Sequence, residues 1–118
     1  MNAMRVVIDR HADRYRWRLV RRTPSGADVL ARGVSDYPDE VACRQAVAAL
    51  AEVPGEAALV VQQPDGHWRW QVTGADGAPF AESPAVYHDA AGCGRALAEV
   101  RRAVGALPVL AVTFPQQA

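Results

Sequence analysis

Tyr15-Arg16-Trp17-Arg18-Leu19 alternates apolar or aromatic side chains with guanidinium groups, and Trp68-Arg69-Trp70-Gln71-Val72 repeats the pattern later in the chain. A period of two is the signature of a β-strand with one covered and one open face. Tyr15, Trp17 and Leu19 therefore share a face with one another, as do Trp68, Trp70 and Val72, while Arg16, Arg18, Arg69 and Gln71 point the other way. Trp17 falls on Trp70 at an offset of 53 residues, and this match is the start of an internal repeat.

Working outward, the same offset sets Val6-Val7-Ile8 on Leu59-Val60-Val61, and Asp13 on Gly66 in the turn between. Downstream, Tyr37 matches Tyr87, Asp39 matches Asp89, Cys43 matches Cys93, Val47 matches Leu97 and Leu50 matches Val100, now at an offset of 50. The difference falls in one loop, Thr23-Pro24-Ser25-Gly26 in the first copy and Gly74-Ala75-Asp76-Gly77 in the second. Turns absorb length changes that a strand register cannot.

Each copy reads as strand, strand, strand, helix. The runs at 5 to 10 and 57 to 63 end at His11-Ala12-Asp13 and Pro64-Asp65-Gly66, so each forms a hairpin with the aromatic strand that follows. Short third strands are predicted near 28 to 32 and 79 to 82. From about Asp39 the apolar residues Cys43, Ala46, Val47, Leu50 and Val53 recur at helical spacing until Pro54-Gly55. The second helix runs from about Asp89 through Cys93, Ala96, Leu97, Val100 and Val104 to Gly105, with Pro108 beyond. Asp39 and Asp89 stand where a side chain caps the first-turn amides. Gly92 and Gly94 each weaken that turn by roughly 1 kcal/mol relative to alanine, so this end is expected to fray.

The tail Val109-Leu110-Ala111-Val112-Thr113-Phe114 is too apolar to hang free in water. It predicts a C-terminal strand over 107 to 115, pairing with a sheet edge or covering the core, in its own chain or in a partner's. The fold class is then α+β: two tandem β-β-β-α repeats, about 5 to 55 and 57 to 105, building a two-layer antiparallel sheet with both helices on one face and a C-terminal strand. At 118 residues the chain is expected to form a single domain over 1 to 118.

Thirteen basic residues, all arginine, balance thirteen acidic ones, so no global field recruits a polyanion or an anionic membrane. Two cysteines make no disulfide framework and no zinc spacing, which fits a reducing cytoplasm. Met1 to Arg5 carries no basic stretch leading into an apolar run, and no segment is long and apolar enough to span a bilayer, so neither secretion nor membrane insertion is expected.

Chemistry-bearing residues are few. Cys43 and Cys93 lie on the apolar stripes of the helices, where a thiol behaves as a small buried hydrophobe. His11, His67 and His88 show no partner at ligand spacing in the sequence, and the three serines lie in turns or loops. No catalytic, cofactor or metal residues are expected, and the chain is not expected to be an enzyme. Arg10, Arg14, Arg16, Arg18, Arg21 and Arg22 gather in a hairpin with only Asp13 among them. Arg14, Arg16, Arg18 and Arg69 are the candidate anion-binding set. The tryptophans, opposite the arginines, are expected in the core and not as a stacking platform for bases. Tyr37 and Tyr87 precede the helices and are expected to fasten each helix start to the sheet, with their hydroxyls in water.

These elements resemble the YegP-like domain of unknown function, a short bacterial and archaeal module found singly or as a tandem pair. The resemblance rests on the two aromatic strands quoted above, each followed by a turn glycine, a short apolar strand, Tyr37 or Tyr87 and an alanine-rich helix. It runs from about Val6 to Val104. Two departures are visible: the family's glycine before the tyrosine is Asp36 or Val86 here, and its following serine is Pro38 or His88. The resemblance implies two pseudo-symmetric halves and, for single-copy members, assembly of two chains; it implies no activity or cofactor. The reading that follows is a non-enzymatic interaction or scaffold module, partnered by another copy or another protein through a sheet edge or the C-terminal strand. The alternative is weak polyanion or nucleic-acid binding through the arginine hairpin.

Overall fold

A computed structural model describes residues 4–52, 57–84, 86–106 and 112–113. The β-branched and aromatic runs form β1 (Met4–His11), β2 (Arg14–Thr23) and β3 (Gly26–Gly33), followed by α1 (Glu40–Glu52). Then come β4 (Ala58–Gln62), β5 (Trp68–Thr73), β6 (Pro79–Glu82), α2 (Ala90–Ala106) and β7 (Val112–Thr113). The architecture is α+β. Six strands lie in the order β4-β5-β6-β3-β2-β1, each antiparallel to its neighbours. Of the C-terminal strand expected over 107 to 115, only Val112–Thr113 is described; it lies parallel beside β1, with Val112 opposite Val6. Val53, Pro54-Gly55 and the remainder of that tail are outside the described residues.

Alternation does what the aromatic strands predicted. Trp17, Leu19, Trp70 and Val72 are buried in one cluster with Cys43, Val47 and Leu50 of α1 and Cys93, Leu97, Val100 and Val104 of α2. Trp17 and Trp70 are essentially without exposure, at 1% and 0%, and Trp68 is partly buried against the same cluster, which removes the stacking-platform reading. Removing both indoles from water supplies several kcal/mol of the driving force.

Both helices start as their caps dictate. The Ala42 N–H donates to Asp39 Oδ1 at 2.8 Å and the Gly92 N–H to Asp89 Oδ1 at 2.6 Å. The first turn of α2, where fraying was expected, is formed with both glycines in place. A Cβ added at Gly94 meets no atom within 4 Å. Gly94→Ala is therefore expected to raise stability by about 1 kcal/mol, read as an upward shift of the urea midpoint at constant slope.

One expected alignment is corrected. Ile8 faces Trp17 and Val60 faces Trp70, so the first strands correspond at an offset of 52 and not 53. The second hairpin is one residue longer, and a slip of one residue turns every side chain to the other face. Val6 and Ile8 enter the core, whereas Leu59 and Val61 are turned outward at 43% and 36% exposure.

Two β-bulges occupy corresponding places. Register shifts between Leu19 and Val20 and between Val72 and Thr73, leaving Leu30 and Phe80 unpaired on the partner strands and leaning on the core. A bulge adds twist and re-aims side chains, here two large apolar ones.

The seam between β3 and β6 places Arg32 opposite Glu82. The Arg32 guanidinium bonds Glu82 Oε2 at 2.9 Å and 3.0 Å. Glu82→Arg puts two cations side by side mid-sheet and is expected to cost about 1 kcal/mol, a figure kept small because Arg32 is partly exposed. The swap Arg32→Glu with Glu82→Arg should recover most of it, and thermal melts of the three variants read the recovery.

Candidate functional site

With one face covered by helices, the other face of the sheet carries the polar chemistry. Opposed residues form a row across it: Val7, Arg18, Arg32, Glu82, Gln71 and Leu59. Arg16 sits one step along β2 from Arg18, beside a depression lined by Asp9, Arg10, His11, Arg16 and Asp36.

The candidate anion-binding arginines are largely engaged within the chain. Arg16 pairs with Asp36 Oδ1 at 2.7 Å and Arg18 with Asp9 Oδ2 at 2.9 Å. Arg14 donates to the Asp36 backbone carbonyl at 3.0 Å. Arg69 stands apart: β6 and β3 lie between its strand and β2, a separation of roughly 14 Å at normal strand spacing. Its Nε is buried without a hydrogen-bond acceptor. Three of the four are thus gathered around two aspartates, which offset their charge, and the fourth is not brought to them. Asp36 lies twenty residues from Arg16, and Asp9 just before the stretch from Arg10 to Arg22, so counting charge within that stretch missed their neutralising role.

Cys43 and Cys93 are free, buried thiols. Burial, reinforced by the Asp9 and Glu40 carboxylates, pushes the Cys43 thiol up to about 12, and burial raises Cys93 as well. Neither is an activated nucleophile at neutral pH. Near pH 9.0 the thiol of an unfolded chain starts to lose its proton while the folded one keeps it to about 12. The stabilisation is thus complete below about 9 and is lost as pH rises toward 12. The urea midpoint is expected to fall across this alkaline window, with a shallower fall in Cys43→Ala.

Tyr37 and Tyr87 fasten the helix approaches through the backbone. Tyr15 and Tyr37 exchange N–H to carbonyl bonds of 2.8 and 2.7 Å, and Trp68 and Tyr87 exchange two of 2.8 Å. Burial raises both phenols. The indole N–H groups of Trp17 and Trp70 act on these phenols yet make no well-formed hydrogen bond, leaving both buried nitrogens without a partner.

One juxtaposition was not visible in the spacing of histidines. The Trp68–Tyr87 bridge is antiparallel, so His67 and His88 fall opposite each other, with ring centres 5.4 Å apart. The signal was present in the pairing of the aromatic strand with the residue after Tyr87, which only a three-dimensional register exposes. The sequence match sets Arg14 and Pro38 against these two positions. The His67 N–H donates to Asp65 Oδ1 at 3.0 Å, and this bond holds the Asp65 carboxyl below its ordinary range.

Two solved structures share this fold. A protein of unknown function, YegP from E. coli, superposes with a TM-score of 0.74 at 15% identity, covering 98% of this chain and 96% of its own. The UPF0339 protein SO3888 from Shewanella oneidensis superposes with a TM-score of 0.68 at 9% identity, covering 94% of this chain and 90% of its own. The chain has a YegP-like fold. No family model and no curated protein matches the sequence. Among the described residues no helix is long and apolar enough to cross a membrane.

Proposed function

We propose that the chain is a tandem pair of β-β-β-α units forming one domain, and that it works as a non-enzymatic, cytoplasmic interaction module whose partner is a second copy of itself, joined edge to edge through β4. The tandem reading is supported by the corresponding bulges, caps and tyrosine bridges of the two halves. The tail over 107 to 115 acts in this reading as the strand that closes the β1 edge.

The observation that carries the proposal is the unequal treatment of the two sheet edges. Val112–Thr113 lies along β1, whereas no strand among the described residues lies along the outer side of β4. An apolar edge without charge or proline is a template for another strand. Ala58-Leu59-Val60-Val61-Gln62 holds no charged residue. Two copies of β4 meeting antiparallel about Val60 place Leu59 against Val61 of the second copy, with no like charges opposed. A five-residue edge is smaller than a standard interface, so the association is weak and concentration-dependent.

Sedimentation across a concentration series tests this. The wild-type chain is expected to move from monomer to dimer, and Leu59→Lys with Val61→Lys to stay monomeric with an unchanged melting temperature, since both side chains face outward. A wild-type chain that stays monomeric to millimolar concentration, or a variant that dimerises equally, would overturn the proposal. The polyanion alternative has less to stand on, because Asp36 and Asp9 already engage Arg16 and Arg18.

A further inference from the structure

We infer that His67 and His88 form a two-histidine site for a divalent transition ion of the Zn2+, Ni2+ and Cu2+ class, with Asp65 as a positioning residue. An ion about 2.1 Å from a ring nitrogen lies about 3.2 Å from the ring centre, so two imidazoles sharing one tetrahedral ion have centres about 5.3 Å apart. The centres of His67 and His88 are 5.4 Å apart, with the rings tilted by 50°. The isolated Trp68–Tyr87 bridge sets the two positions opposite each other, its backbone bonds of 2.8 Å flanking them directly.

The two nitrogens of His67 are not equivalent. Nδ1 is buried and lies 3.2 Å from Asp65 Oδ2 without a well-formed hydrogen bond to it, while the side chain as a whole is 39% exposed. Enclosure of Nδ1 beside a carboxylate leaves Nε2 as the nitrogen open to an ion, and a nearby carboxylate is the usual means by which metal-binding histidines are oriented. Asp65 itself sits in a turn fixed by its bond to the His67 amide. No set of three His, Cys, Asp or Glu ligands assembles among the described residues, so water completes the coordination. Imidazole donors with open aqueous positions suit Zn2+, Ni2+ and Cu2+ and disfavour Mg2+ and Ca2+, which demand oxygen. The first half, with Arg14 and Pro38 at the corresponding places, has no such site.

The test is calorimetric titration of the full chain, purified without a polyhistidine tag, with ZnCl2, NiCl2 and MgCl2, alongside amide and imidazole chemical shifts. Saturable binding of one zinc or nickel ion per chain at sub-millimolar metal is expected, with shifts confined to residues around His67 and His88 and none with magnesium. His67→Gln and His88→Gln should each weaken it at least about tenfold, and Asp65→Asn by about tenfold while the shifts stay at the same residues. Circular dichroism confirms that the variants fold. Absence of saturable zinc or nickel binding in the wild type, or unchanged binding in both histidine variants, would overturn the inference.

Discussion

Trp17→Ala and Trp70→Ala are each expected to lower the free energy of unfolding by about 3–5 kcal/mol, a large part of the stability of a small domain. Both rings are buried between the sheet and the helices, and neither neighbourhood can collapse without moving a helix. The two losses should be similar, because the residues occupy corresponding positions on β2 and β5. Phenylalanine should be far milder at either place. The indole N–H of each tryptophan is buried without a hydrogen-bond partner, so its removal relieves an unsatisfied donor even as volume is lost. Urea unfolding followed by far-UV circular dichroism checks this, since removing one of the three indoles alters the fluorescence signal itself. A loss below about 1 kcal/mol for either alanine variant would contradict the packing described.

Gly33 supplies the second large effect. A Cβ added there would lie 2.7 Å from Trp17 Nε1 and 3.0 Å from its Cδ1. The ring it meets is fully buried, so it has nowhere to swing. Gly33→Ala is expected to cost about 1–3 kcal/mol by overpacking, and Gly33→Val more. The cause is the indole edge, so Trp17→Phe should reduce the penalty, and a double-mutant cycle reads the coupling directly. Ser83, fifty residues on from Gly33, is buried, and its hydroxyl accepts the backbone N–H of Trp70, not the indole N–H, at 3.2 Å. Additive effects of Gly33→Ala and Trp17→Phe would show that the glycine is needed for another reason.

Much of this was legible in the sequence, and the reasons are physical. Alternation along Tyr15 to Leu19 and Trp68 to Val72 assigned a buried and an open face, because a period of two leaves little freedom. Asp39 and Asp89 announced the helix starts, and the helical spacing around Cys43 and Cys93 placed both thiols inside. What stayed hidden was set by long-range pairing. The true register of β4, one residue away from the sequence match, depended on the length of the turn before Trp68, and with it went the exposure of Leu59 and Val61. The Arg32–Glu82 pair depended on β3 meeting β6, and the pairing of Arg16 with Asp36 on residues brought together by folding. The His67–His88 pair likewise exists only through the bridge beside it.

In the proposed assembly the two β-β-β-α units join within one chain along β3 and β6 and leave β4 as the edge for a second copy. Amide hydrogen exchange, measured residue by residue at a low and a high protein concentration, separates the two kinds of pairing. Protection along β3, β6 and the Val6–Val112 region should be the same at both concentrations, while amides of Leu59 to Val61 become more protected at the higher one. Protection of β4 that does not change with concentration, or protection of β3 and β6 that does, would contradict it.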